Sequence, residues 1–587
     1  MPGVSIAVRT KLSWLLVRRG MRSGMGRLNS HPLIRWRFFR PKADRLVIAP
    51  QDLRTADPTR ASEIYAGRFA LAGKIVICDG RSPFEMTPPS DEWAMQLLGF
   101  GWLRHLRAAE SGITRANARA LVDEWIMLQG SWHPIGWRPE VLARRIMSWL
   151  SQAPLIVHDT DVQFYRRFMR SLARQVRYLR QVAKEAPDGV PRLQTIIALT
   201  YAALCMQGQI RHLKVAVKAL VEELERQILP DGGHLSRNPE ALIDLIADLL
   251  PLRQAFASRN VPPPQTLLTA IDRMMPMLRF FRHGDGNFGL FNGMGPTPPD
   301  LLATLLAYDD TRGQPVANAP HSGYQRLDSK ELTVLMDTGR PPPMAVSQEA
   351  HAGCLSFEMS TRQHRIVVNC GLPAIARDSW RDVARATAAH STAVLNDASS
   401  CRFLNAGSFR KLIGMPVVAG PQHVVVERED HENAILLRAS HDGYAARFGV
   451  IHQRSLALSA DGSRLNGEDV FLPAAGDAMP ASGRDEFAVR FHLHPSIKAS
   501  RLTDTRGVML MLPNRDVWTF NTPDNEVELE ESVYLAGNDG PRRTIQIVIY
   551  GSIRQSPRVP WSFSHVPAPG AAAAPRRGRG GEPQLPL

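Results

Sequence analysis

The chain has 587 residues and 44% hydrophobic content, enough for two or more large cores, and no stretch of about eighteen apolar residues that would cross a membrane as a helix. The net charge of +15 invites a polyanion reading, but the charge sits at the two ends. Residues 1–45 hold eleven Lys or Arg against Asp44 alone, residues 566–587 add +2, and the body between carries only +3. Overall basicity therefore gives no argument for nucleic acid as a partner.

The first 45 residues lack the compact apolar core and cleavage site of a secretory signal. They read either as a disordered or docking tail, or as a basic amphipathic helix on an anionic membrane surface with Trp14, Leu15 and Leu16 inserted. Residues 46–317 read as a helical domain. Phe164, Phe168, Leu172, Val176 and Leu179 recur at helical spacing, as do Leu213, Val217, Leu220, Leu224 and Ile228, with breaks at Pro- and Gly-rich turns. A loop rich in Gly, Pro and Asn (280–300) offers His283, Asp285 and Asn292 as a connection or as a cleft wall.

From 318 to 565 the period changes to two. Leu355, Phe357 and Met359 alternate with Ser356, Glu358 and Ser360, as in a half-buried strand. Further strands follow to Thr544–Tyr550, so this half reads as an antiparallel β-sandwich. Residues 566–587 read as a disordered tail of Pro, Ala, Gly and Arg. Five cysteines without metal-ribbon or CxxC spacing read as buried thiols, a Cys354–Cys370 bridge being the alternative.

The blocks EAHAGCLSFEM, IVVNCG and AAHSTAV occur in one order between 349 and 395. In order and spacing they resemble the β-domain blocks of the heparinase II/III-like polysaccharide lyases, usually close to HxHADALSFEL, LVDPGT and AHNTV. FGWLRHL, ARRIMSWL and LPDGGHLSRNP in the helical half resemble that family's helical-domain motifs. The resemblance implies an (α/α) toroid joined to a β-sandwich, a polysaccharide partner in an interdomain cleft, and work in the cell envelope or periplasm. The absence of a visible signal leaves the cytoplasmic face of the inner membrane as the alternative, with peripheral contact through the basic N-terminus.

The activity implied is β-elimination from an acidic or amino-sugar polysaccharide. Such a reaction needs a neutralised substrate carboxylate, a base for the adjacent proton and an acid for the leaving oxygen. Carried over position by position, the resemblance implies Glu349 and His234 as catalytic groups and Arg237 and Asn238 as substrate-binding groups; Tyr324 joins the first set as a phenol for the cleft, strand packing being the alternative, and His283 joins the second if the 280–300 loop is a cleft wall. It also implies one zinc ion held by His351, Asn369 and His390, the alternative being two histidines hydrogen-bonded to loop backbone. Several positions depart from the family pattern. Glu349 stands where a catalytic histidine is usual, Ser236 and Ala241 replace a glutamate and a tyrosine, and Asn369 replaces the metal-binding aspartate. These departures keep a second class open, a non-catalytic glycan-binding or polysaccharide-assembly protein on the same scaffold.

Overall fold

The computed structural model describes residues 45–309, 313–374, 378–404, 414–476 and 484–567, with isolated positions between 10 and 21. The expected N-terminal segment and C-terminal tail thus lie largely outside the described residues. Of the former, Leu12 is buried against Leu404, with Leu16, Met344 and Val418 beside it, while Trp14 is 58% exposed.

The helical half is an (α/α) toroid. Val190–Cys205 is buried along its length because Leu193, Ile197, Leu204 and neighbouring Ala and Thr residues cover every face. It packs against Pro139–Ser151, Leu213–Gln227 and Glu240–Ser258. Outer helices show one apolar stripe: Val162–Val182 buries Phe164, Phe168, Leu172, Val176 and Leu179 and is capped by Asp161, which accepts from Phe164 N. The expected succession of helices and turns includes one pair of strands. Arg68–Leu71 and Lys74–Ile77 form a hairpin whose turn residues, Ala72 and Gly73, both have positive φ.

The C-terminal half is a sandwich of two antiparallel sheets. One runs through Val527–Tyr534, Arg542–Ser552, Glu486–Leu493, His364–Val368, Phe357–Thr361, Leu332–Asp337 and Tyr324–Asp328. The other runs through Val424–Asp430, Ala434–His441, Val450–Ser459, Arg464–Pro473, Arg558–Val566, Val517–Asn521, Gly507–Met511 and Lys498–Arg501. Phe357 and Phe491 of the first sheet meet Trp561 of the second, 5.5 and 4.8 Å between ring centroids. The five cysteines are free and buried.

Phe357–Thr361 is not half-buried, as its alternation predicts, but buried on both faces. Its apolar face meets the sandwich core. Its polar face, Glu358 and Ser360, is covered by His283 of the 280–300 loop. Period 2 reports two different surroundings, and here the second is another domain rather than water.

Candidate functional site

The LPDGGHLSRNP segment links Leu213–Gln227 to Glu240–Ser258 at the seam between the domains. Its glycines are required by close approach. A Cβ on Gly232 (φ +88) would stand 1.9 Å from Arg273 O, and one on Gly233 would stand 2.5 Å from Ser322 Cβ. Asp231 accepts from Ser322 N and its hydroxyl, at 2.7 and 3.0 Å, fastening the segment to the β-domain.

From this anchor the predicted residues divide. The Arg237 guanidinium turns into the seam, donates to the carbonyls of Ser322, Gly323 and Arg340, and pairs with Asp337 at 2.5 Å. It also lies 4.7 Å over the Tyr324 ring. Tyr324 is opposite Asp337 in the strand register, so its phenol is already beside this pair. It donates to Arg237 O (2.6 Å) and accepts from Asn292 Nδ2 (2.7 Å), and burial pushes its pKa well up. His283 is likewise engaged at both nitrogens, by Ser360 (2.8 Å) and Glu358 (3.0 Å). These three were expected to bind or transform substrate. The structure uses them to join the domains, because each polar atom is buried with a protein partner.

The open part is a cavity of about 320 Å³ between the Pro187–Pro191 turn, the start of Glu240–Ser258 and the strap Ala345–Glu349. Glu349 and Asn238 meet there, with Asn238 Nδ2 donating to Glu349 Oε2 at 3.1 Å while its oxygen caps Glu240 N at 2.9 Å. His234 also lines it but is not a free base. Its Nδ1 accepts from Ser236 N (3.1 Å), its Nε2 meets Gln227 Oε1 (2.9 Å), and burial pushes it down to about 3.

Three lining carboxylates, Asp188, Glu240 and Asp244, escaped the sequence reading. Glu240 and Asp244 are one helical turn apart on the helix that follows the recognised block, and that spacing was the available signal. Asp188 stood in a turn read only as a helix break. It lies 3.4 Å from Arg192. Glu240 is open to solvent by surface area, yet the enclosing walls, then Asp244 and Glu349, push it up to about 8, with Arg381 opposing. A carboxylate held above its usual range among other carboxylates disfavours further negative charge.

Of the three expected metal residues the two histidines meet, and Asn369 bonds to the residue next to His390. His351 Nδ1 is 3.0 Å from His390 Nε2, and Asn369 Oδ1 accepts from Ser391 N at 2.9 Å. They do not fit a zinc ion. The donor set has no anionic ligand, and the Asn369 oxygen already has a donor. The neighbouring carboxylates are engaged too: Asp337 by Arg237 and Asn292, and Glu358 by His283 and the Leu290 and Asn369 amides. Among the described residues, no group of three or more His, Cys, Asp or Glu side chains is arranged to hold a metal ion. Two other nearby histidines are also engaged by protein, His492 with Ala388 O and Ser532, and His494 with Ser496.

A family model described as "Heparinase II/III-like, C-terminal" matches residues 311–562. FtsZ-localized protein C of Caulobacter vibrioides is 33% identical over 521 residues, 88% of this chain and 89% of that protein. The chain belongs to the heparinase II/III-like family. Among solved structures, heparinase III aligns with a TM-score of 0.69 at 13% identity, covering 94% of this chain and 91% of that one. Heparan sulfate lyase HepC from Pedobacter heparinus aligns at 0.59 and 14% identity, covering 95% and 88%. At such identities they establish the fold alone. This heparinase II/III-like chain therefore has the lyase scaffold, with a cavity whose polar lining must be read on its own residues.

Proposed function

We propose that this chain is a non-catalytic member of its family, whose interdomain cavity binds a neutral or amino-bearing sugar chain. One observation carries the reading. Among the described cavity residues there is no phenol, and the one imidazole, His234, has both nitrogens engaged, while Asp244 and Glu349 supply negative charge, Glu240 beside them is held up to about 8, and Asp188 is paired with Arg192. β-Elimination beside a uronate needs positive or neutral donors on the substrate carboxylate and a base and acid in reach. This acidic lining, which includes no cation among its described residues, opposes the first requirement, and it offers carboxyl groups alone, Glu349 and the raised Glu240, for the second.

The rival reading, a lyase acting on an amino-sugar polymer, rests on Glu349, which stays in the cavity beside Asn238 as a possible base. The test is to incubate the full chain with acidic and amino-sugar polysaccharides, following binding and the ultraviolet absorbance of unsaturated product. Binding of the amino-sugar polymers without product is expected. Product whose formation disappears in Glu349→Gln would favour the lyase.

We further propose that the chain localises with FtsZ, as the Caulobacter relative's name says of that protein. Peripheral contact of the basic N-terminus with the cytoplasmic face of the inner membrane accompanies this reading. The exposed Trp14, Val17 and Met21 support it, and no described helix is long and apolar enough to cross a membrane. Fluorescent fusions of the full chain and of one lacking residues 1–45 test it. A full-chain fusion spread evenly through the cell would refute the localisation, and unchanged membrane fractionation of the truncated one would refute the anchor.

A further inference from the structure

We infer that the family's metal centre is replaced in this chain by a metal-free imidazole relay, and that Asn369 is the residue that excludes the ion. The hydrogen bonds fix the proton positions. His390 Nδ1 lies 2.8 Å from Ala386 O, a pure acceptor, so this nitrogen carries the proton. In the neutral ring His390 Nε2 is then an acceptor, and His351 Nδ1, 3.0 Å away, must be the donor to it. The relay runs from His351 N–H through His390 to the Ala386 carbonyl. The ring edge of His390 is covered by Gly353, where an added Cβ would stand 2.7 Å from His390 Cδ2.

Asn369 decides the charge of the site. Its oxygen accepts from Ser391 N, which fixes the amide's orientation and leaves its NH₂ group buried without a partner. The amide brings no negative charge, and its unpartnered group is a donor, which cannot ligate a cation. His351 Nε2 is also buried without a protein partner, and in this tautomer it is an acceptor. An unmatched donor and acceptor suit a neutral hydrogen-bonding molecule such as water. A zinc ion here would have only neutral ligands and uncompensated charge in a buried site.

The relay does mechanical work that a metal would otherwise do. It fastens the strap bearing Glu349 to the 385–390 segment, alongside Arg385, which donates to Ala350 O (2.8 Å) and Ser347 O (3.0 Å). Glu349 is thus held at the cavity without an ion.

The experiment is zinc analysis of the full chain after equilibration with zinc and gel filtration, alongside melting temperature with zinc and with chelator. Wild type should hold no stoichiometric zinc and melt alike in both conditions. Asn369→Asp restores the charge, should hold about one equivalent, and should melt several degrees higher with zinc than with chelator. Adding His351→Ala to it should remove both effects. Wild type holding one equivalent, lost in His351→Ala, would overturn the inference, and that measurement does not depend on any substituted chain folding except the control. Asn369→Asp folding normally yet holding no zinc would overturn the role given to Asn369.

Discussion

Arg237 and Asn238 are neighbours in sequence, yet they belong to two regions that work in opposite ways. Arg237 enters the seam, where Asp337, Tyr324, Asn292, His283 and Glu358 form a buried network with nearly every donor and acceptor matched. Asn238 faces the cavity, where carboxylates crowd one another and solvent enters. A polar residue in a recognised motif is therefore not by itself a functional residue. What separates the two regions is the treatment of charge: Asp337 in the seam is matched by Arg237 and Asn292, whereas Glu240, Asp244 and Glu349 in the cavity repel one another, and a repelled group has something to offer a ligand.

Among single substitutions the largest expected effect is in the seam. Arg237→Met leaves Asp337 buried without its cation and should cost about 3–5 kcal/mol in a denaturant titration. Arg237→Lys should recover only part of this, since one ammonium cannot replace the guanidinium fork that reaches three carbonyls and a carboxylate. A loss below about 1 kcal/mol would mean the seam is not held by this pair.

Acid should act next. Burial pushes His105 down to about 4 and His234 and His492 down to about 3, from an ordinary 6.5. The unfolded chain then binds protons that the folded one refuses. These three groups leave stability level above about pH 6.5 and lower it as pH drops toward 4 and then 3, by roughly 1.4 kcal/mol per pH unit for each, while Glu240, held up to about 8, opposes them between its ordinary 4.5 and that value. Thermal melts at a series of pH values check this, and a melting temperature that rose on acidification below about pH 6.5 would break the assignment of these rings as buried and neutral.

The smallest effects give the finest contrast. Tyr324→Phe removes the hydrogen bond to Arg237 O and should cost about 1–2 kcal/mol while leaving ligand binding unchanged. Glu349→Gln should do the reverse, changing stability by no more than about 0.5 kcal/mol while altering affinity for an amino-bearing ligand. The comparison fails if the two substitutions act alike in melting and in binding.

The fold was legible because its signals are local. The change of period near 320 marks the passage from the last toroid helix, Pro299–Leu306, to the first sheet strands, and the His351–His390 blocks meet as their order implied. The roles of Tyr324, Arg237 and His283 were not legible. Nothing in a strand's alternation tells whether its polar face meets water or another domain, and here the 280–300 loop covers it. Asp188 and Asp244 were missed for the converse reason: an isolated acid in a turn or on a helix looks like a solvated surface group until the fold walls it in.

Charge selectivity at the cavity tests the central reading most directly. The full chain can be titrated calorimetrically with a soluble glucosamine polymer and with a uronate polymer of matched length, in one buffer at low salt. Binding to the amino polymer that Glu349→Gln weakens, no binding to the uronate polymer, and no unsaturated product from either is the predicted result. Tight binding of the uronate polymer, or product from either one, would contradict it.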